Sequence, residues 1–500
     1  MAKLQDFSGG LVTRTASHLI PVNSATTYSN IDSEAGSLKP VNSKSVTGEA
    51  LDKFAFYFEA ESRWVSSSTQ TDYLEYRGAL YTTDSATIPQ RVVGSLTANL
   101  GIAAATVGVA GVISAGILTG TYNYVYTYYD TSTGAESAPN PVSADIVAVN
   151  STISIQNIIP STDPQVDKVR LYRVGGNLAT FSLVGTYNNG TTNVTDNVAD
   201  SVIPGDDLIT DSYGQAIAGG SDIKEAYGVL WYTLKDKLYF SEVGKWFAWP
   251  AENFFDFELP VTGYGMTSRG ILVFTARRTY LITGTTKATF SRTLLSSSQG
   301  CKHYKTVAGL GGGIVWVSND GICLSDGGVP SVVSRQFIGK TNIQASSAVV
   351  HDDVYYLQLL DGSILAMDSR YKLLLKNFSV GTTWLITALD TLYGYEGGLY
   401  YELFAGDDKE QITWKSPVFL DSGYKERKSY KSIYVTYRGS ITVSVYIDDN
   451  KVASVSLTGS DTKEVLVDQA RKDGYSIQFV VTGAGEVLEL SYTPVGRPRL

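Results

Sequence analysis

The chain has little sulfur, little histidine and few charges for its length. Its 500 residues hold two cysteines, Cys301 and Cys323, which excludes a disulfide framework. Both fall in strand-like or turn-like sequence and read as buried thiols acting as small hydrophobes. The three histidines, His18, His303 and His351, are scattered, and no C-x-x-C or H-x-x-x-H spacing gathers metal ligands. The lone Cys301-x-His303 pair falls short of a zinc site. No G-x-S-x-G nucleophile elbow occurs. The glycine-rich run Gly309 to Trp316, GLGGGIVW, leads into a strand, so it lacks the helix N-terminus that cradles phosphate. Lys and Arg number 40 against 49 Asp and Glu, a net charge of −9. That sign is wrong for a chain that grips DNA through phosphates, and suits solubility or a wall that repels a passing polyanion. The opening MAKLQDFSGG has no apolar stretch of the secretory kind. The run Leu100 to Leu118, LGIAAATVGVAGVISAGIL, has a membrane span's length but little bulk. It reads as an ordered linker or strand entry packed on a β domain, with a membrane-active role as the alternative.

What is present favours β structure. Hydrophobic residues make up 43%, enough for a real core, and 33 tyrosines and 48 glycines suit half-buried strands and tight turns. A repeat organises the chain. KDKLYFSE from Lys235, RRTYLITG from Arg277, NDGICLSD from Asn319 and DGSILAMD from Asp361 start 42 residues apart. Each follows an apolar run: GVLWYT from Gly228, GILVFT from Gly270, GGIVWVS from Gly312 and DVYYLQL from Asp353. The unit is strand, tight turn, strand, and about forty residues per unit matches a four-stranded propeller blade. EGGLYYEL from Glu396 continues the series after 35 residues; RGALYTTD from Arg77 precedes it by 158, leaving room for an inserted domain.

The expected fold is therefore all-β: a β-propeller of about six blades, hairpins near Gly78, Asp236, Arg278, Asp320, Gly362 and Gly397, with two further domains. Residues 1–92 read as an N-terminal segment and first blade, 93–219 as an inserted fibronectin III-like sandwich, 220–408 as the remaining blades and 409–500 as a C-terminal β-sandwich. A further blade near Phe54 to Val65, and ring closure by an N-terminal strand, stay open. The insert's strands are read at Thr121 to Asp130, Ser151, Asp167 and Ala179, beside the polar loop Thr133 to Ser143. The C-terminal strands are read at Ser432 to Tyr437, Ile441 to Ile447, Val452 to Leu457, Glu464 to Val467, Tyr475 to Val481 and Glu486 to Tyr492. The tail GRPRL, with Arg497 and Arg499, reads as a short exposed arm. Asp84, Glu242, Asp326 and Asp368 end several repeats. They read as strand-end residues that cap turns; a ring of carboxylates able to hold a cation or do acid–base chemistry is the alternative. Repetition favours the first reading, because catalysis needs unlike environments to separate two carboxylates.

The segment Phe7 to Val41 carries Gly9, Gly10, Leu11 and Thr13, then Leu19 to Pro21, Asn30, and Gly36, Leu38 and Pro40. In this pattern, in the block GTYNYVYTYYD…TGAESAPNPVS and in the closing TWKSPVFL and VTGAGEVLEL, the chain resembles the tail nozzle, or tail tubular, proteins of short-tailed bacteriophages. The resemblance implies a structural virion protein without catalytic, cofactor or metal residues, assembled in the host cytoplasm. It implies a homohexameric ring below the portal and its tail adaptor protein. Such a ring meets fibres or spikes and a plug or needle, and touches duplex DNA in transit. A receptor-binding or adhesin tail protein is one alternative. A propeller glycosidase is the other, although Ser318-Asn319-Asp320-Gly321 fails the Ser-x-Asp-x-Gly-x-x-Trp box of sialidase-like propellers.

Overall fold

The computed structural model describes every residue except 34, 204, 206, 209–212, 371–372, 422–425, 469 and 497–500, so Arg497 and Arg499 lie outside the described residues. Among the described residues the only α-helix is the single turn Arg335–Ile338; the rest is strand and connection.

Six four-stranded antiparallel units dominate. The first runs through Asp72–Tyr76, Ala79–Thr83, Gln90–Val93 and Leu96–Asn99. The second holds Ser221–Ala226, Val229–Leu234, Lys237–Phe240 and Phe254–Asp256, and the third spans residues 261–296. The fourth spans 308–332, the fifth 345–378, and the sixth 384–402 with Ser45–Val46 as its outer strand. The turns at 235–236, 276–278, 319–320 and 360–363 all join second to third strands, as the 42-residue register requires. RGALYTTD departs from that register. Its turn, Arg77-Gly78, joins first to second strand, because the copy matches a generic hairpin and not a fixed blade position. The first unit also continues past residue 92, since Gln90–Val93 pairs with Leu96–Asn99.

The apolar runs are the second strands, and their continuity has a simple cause. A strand buried on both faces needs no polar alternation. Leu230 and Tyr232 face the core shared with the first unit, and Val229 and Trp231 the core shared with the third. Leu272 and Phe274 meet Ile314, Trp316 and both cysteines between units three and four. Val315 and Val317 join Tyr355 and Leu357 in the next gap, and Val354 and Ile364 join Leu385 and Leu392 in the last. The hairpin Phe54–Phe58/Arg63–Ser67 lies between units six and one. Phe54 meets Trp384 at 4.9 Å, and Phe56 stacks on Tyr73 at 5.8 Å.

Between the first and second units, residues 110–196 form one five-stranded sheet, ordered Leu178–Asn188, Lys168–Gly175, Ala110–Tyr129, Ile146–Gln156, Val194–Asp196. The weakly apolar run thus enters a long strand, and no described helix is long and apolar enough to cross a membrane. Tyr122, Tyr124, Tyr126 and Tyr128 alternate into the core. Arg173, fully buried, bonds Asp196 at 2.6 Å and Asp200 at 2.7 Å. The proline-containing loop runs along the edge of this strand in steps of three. The N–H groups of Ser137, Asn140 and Ser143 donate to the carbonyls of Tyr128, Tyr126 and Tyr124 at 2.9, 3.1 and 3.0 Å. Their side-chain oxygens accept the N–H groups of the same tyrosines at 2.9, 2.7 and 2.9 Å. Pro139 and Pro141 cannot donate to a ladder, so every third residue replaces it; that period is the polyproline one.

The N-terminal segment belongs with the C-terminal strands, which differs from its assignment to the first blade's domain. Ala2–Leu4 pairs with Glu486–Gly496, and Thr27–Ser29 with Ile412–Lys415. Phe7, Tyr28, Ile31 and Leu38 share one core with Trp414, Val435, Val443 and Phe479. The motif residues are needed at this joint. Gly10 has φ +66°, and a Cβ there would sit 2.7 Å from the Leu375 carbonyl. Buried Asn30, at φ 59°, donates to Gln411 O and accepts from Ser379 N. The C-terminal strands are longer than expected: Lys428–Ile447 and Asn450–Val465 form one uninterrupted hairpin. Gly439 and Gly459 look like turn residues but lie opposite each other within the ladder. At that point the strand Lys428–Ile447 exchanges neighbour Glu486–Gly496 for Ile477–Gly483.

The proline-loop geometry predicts that Asn140→Ala strands the buried Tyr126 N–H and also loses the bond from Asn140 Nδ2 to Val107 O. The expected cost is about 2–3 kcal/mol, read as a lowered urea midpoint. An unchanged midpoint contradicts the account of this loop.

Candidate functional site

The first strands of the six units lie side by side in chain order, and the hairpin strand Phe54–Phe58 stands between the last and the first. The segment Cys301 to Thr306, CKHYKT, crosses between them. Residues Tyr304–Thr306 make one 3-10 turn whose N-cap is His303, with Nδ1 accepting the Lys305 N–H at 3.2 Å. Thr306 Oγ1 donates to His303 O at 2.8 Å, and Tyr355 donates to Thr306 O at 2.7 Å. Burial and nearby Lys305 hold His303 below its ordinary pKa, so it is neutral near pH 7.

This turn delivers Tyr304 and Lys305 to Asp72, which opens the first unit. Lys305 Nζ pairs with Asp72 Oδ1, and the Tyr304 hydroxyl donates to Oδ2 at 3.2 Å. Oδ2 also accepts the Asp222 backbone N–H at 2.6 Å, across 150 residues of chain. Asp222, at φ 59°, places its own Oδ1 2.6 Å from Lys224 Nζ, which bonds Tyr264 O at 2.7 Å. Two carboxylates thus meet two ammonium groups. Burial raises the Asp222 pKa, and Lys224 opposes that shift. Burial also lifts the Tyr304 and Tyr264 hydroxyls above their ordinary range, so both stay donors. The pattern ties three units together at one point. The tie was not legible in the sequence, because Asp72, Asp222 and Lys305 are far apart and belong to no motif; the Lys-x-x-Lys spacing around His303 was the only local hint.

The four repeat-end acids are not brought together. Asp84 accepts the N–H groups of Ala86 and Thr87 at 2.9 and 2.7 Å; burial raises its pKa, but these bonds hold it below the ordinary value. Glu242 accepts from Asn253 at 2.9 Å. Exposed Asp326 pairs with Arg269 at 2.9 Å and accepts the Gly328 N–H. Buried Asp368 pairs with Lys376 and Arg370, each at 2.8 Å. Burial pushes Asp368 up, but those two cations outweigh it and hold the carboxyl far below its usual range. Each acid therefore has its own local partners.

Two features lay outside the sequence reading. His351, Asp352 and Asp390 place ligand atoms within 4.8 Å of one another on two neighbouring tight turns, both aspartates being exposed. A groove of about 510 Å³ runs between the first unit and the insert, lined by Ala98, Ala103–Val107 and Ile159–Pro164. Cys301 and Cys323 are both buried free thiols, pushed by burial up to about 12 and about 11.

No protein-family model matches the chain, and no curated protein matches it in sequence. Among solved structures it is similar to BamB from Moraxella catarrhalis, at 9% identity over 68% of this chain and 94% of that one, with a TM-score of 0.29. Sqt1 of Saccharomyces cerevisiae gives 9%, 68%, 86% and 0.29, and AztD from Citrobacter koseri 11%, 73%, 99% and 0.28. Likenesses this loose leave architecture and function to the chain's own geometry.

The central tie predicts strong coupling between Asp72 and Lys305. Lys305→Met, which leaves a buried carboxylate without its cation, is expected to cost about 3 kcal/mol in urea unfolding. Asp72→Asn with Lys305→Met is expected to cost at least 1 kcal/mol less than the sum of the singles, by the coupling of contacting residues. Additive losses contradict the tie.

Proposed function

We propose that the six units close a β-propeller, with hairpin 54–67 in a seventh position, and that the chain is a ring-forming subunit of a short-tailed phage's tail nozzle. In this reading residues 110–196 are a fibronectin III-like docking module, and residues 409–500 with the N-terminal segment are a β-sandwich. The protein sits in the virion tail, after assembly in the host cytoplasm. It forms a homohexamer against the tail adaptor, carries fibres or spikes and a plug or needle, and surrounds the exit path of duplex DNA.

The observation that carries the reading is the N-terminal segment. The residues that give the resemblance, Gly9, Gly10, Asn30, Leu38 and Pro40, lie at the joint between the C-terminal strands and the fifth unit. They specify this particular junction of parts and not β structure in general. The charge is consistent with a conduit. Six copies at −9 each carry −54, and a wall without a cationic excess leaves DNA hydrated and mobile. Retention of the genome then falls to narrowing, or to the plug. The centre of the subunit is a closed lock of paired charges, which suits a rigid ring member.

A gel-shift titration of the assembled protein with duplex DNA near physiological salt tests the conduit. Free DNA should persist at micromolar protein. Tight, salt-sensitive binding at sub-micromolar protein would instead mark a clamp and overturn the sliding channel.

A further inference from the structure

The insert has an unguarded strand edge. Residues 110–119 of the strand Ala110–Tyr129 pair only with Ile146–Gln156; Lys168–Gly175 takes the other edge from Tyr122 onward. Ala110 to Ala115 run in unbroken register with Gln156 to Ser151, and irregularities begin only after Ala115. Their outer N–H and C=O groups have no strand neighbour among the described residues.

Exposed edges in natural proteins are blunted by lysine, proline or inward charge. None of these is present. No charged residue and no proline occurs anywhere from Val92 to Tyr129. Val112 and Ile113 are each 52% exposed and Ile117 is 57% exposed, next to exposed Val147 and Val149 on the neighbouring strand. The only strand on the far side of that neighbour meets just Ile153 to Ile155, so the outer edge of residues 146–150 is unpaired in the sheet as well. There the Val149 N–H is held locally by Ser151 Oγ at 3.2 Å.

We propose that residues 110–118 form an intersubunit strand-pairing edge, occupied in the assembled protein by a strand of a second copy of this chain. Charge selects that occupant. Copies bearing −9 repel one another, and the repulsion is least where two uncharged strands meet. A basic partner gains nothing from this surface, and a polyanion finds no cation on it. The layer presents one free edge on each side, so joining the first edge of one copy to the second edge of the next is a head-to-tail contact that closes into a ring. The inference rests on the ring reading above and names the place where its subunits join.

The test uses the full chain and three variants: Val112→Lys and Ser114→Lys on the edge, and Leu360→Lys on an exposed turn of the fifth unit. Mass photometry gives the oligomer, circular dichroism the fold, and amide hydrogen exchange the protection of residues 110–118. The wild type and Leu360→Lys should assemble, with slowed exchange at the edge. Val112→Lys and Ser114→Lys should keep the fold, assemble at least tenfold more weakly and exchange fast there. Edge variants that assemble like the wild type would overturn the edge and leave the ring standing. A wild type that stays monomeric with fast-exchanging edge amides overturns the edge too; the ring reading is then judged on imaging of a channel.

Discussion

The carboxylate of Asp72 is where the parts of this protein are held to one another. It takes a lysine and a tyrosine hydroxyl from one crossing segment and a backbone N–H from the second unit. Hydrophobic cores fill the gaps between neighbouring units, but each core is local to one gap. A non-directional force of that kind stacks sheets without fixing which sheet meets which across the middle. Asp72 supplies the directional contact. Its burial makes the contact expensive to lose, since an uncompensated interior charge costs several kcal/mol. The insert repeats the device at smaller scale, with Arg173 between Asp196 and Asp200.

The repeating units were legible because their signal is short-range. A strand buried on both faces has to be wholly apolar, so GVLWYT, GILVFT and GIVWVS announced themselves, and the turns after them fixed a constant step. RGALYTTD misled for the same reason: a hairpin's local chemistry says nothing about its place in a sheet. Gly439 and Gly459 misled in the opposite direction. Glycine marks any sharp local change of course, and here the change is a strand trading neighbours and not a turn.

The long-range features were illegible on principle. The pairing of Ala2–Leu4 with Glu486–Gly496 joins the two ends of the sequence, and the tie from Asp72 to Asp222 joins residues 150 apart. Neither leaves a pattern within a window. Composition did carry one long-range fact. The stretch from Val92 to Tyr129 lacks charge, and it includes the strand whose edge is left unpaired. Its little bulk, which first raised the question of a membrane, is what lets backbone meet backbone closely.

The account stands on a rigid subunit, tied at its centre, that builds a ring around a channel. Electron microscopy of the purified protein at assembling concentrations addresses this most directly. The account predicts six-fold rings with an open central channel wide enough for duplex DNA, about 20 Å or more, the fit a conduit for a 20 Å-class double helix demands. Isolated monomers under all conditions, or closed particles without a through-channel, would contradict it.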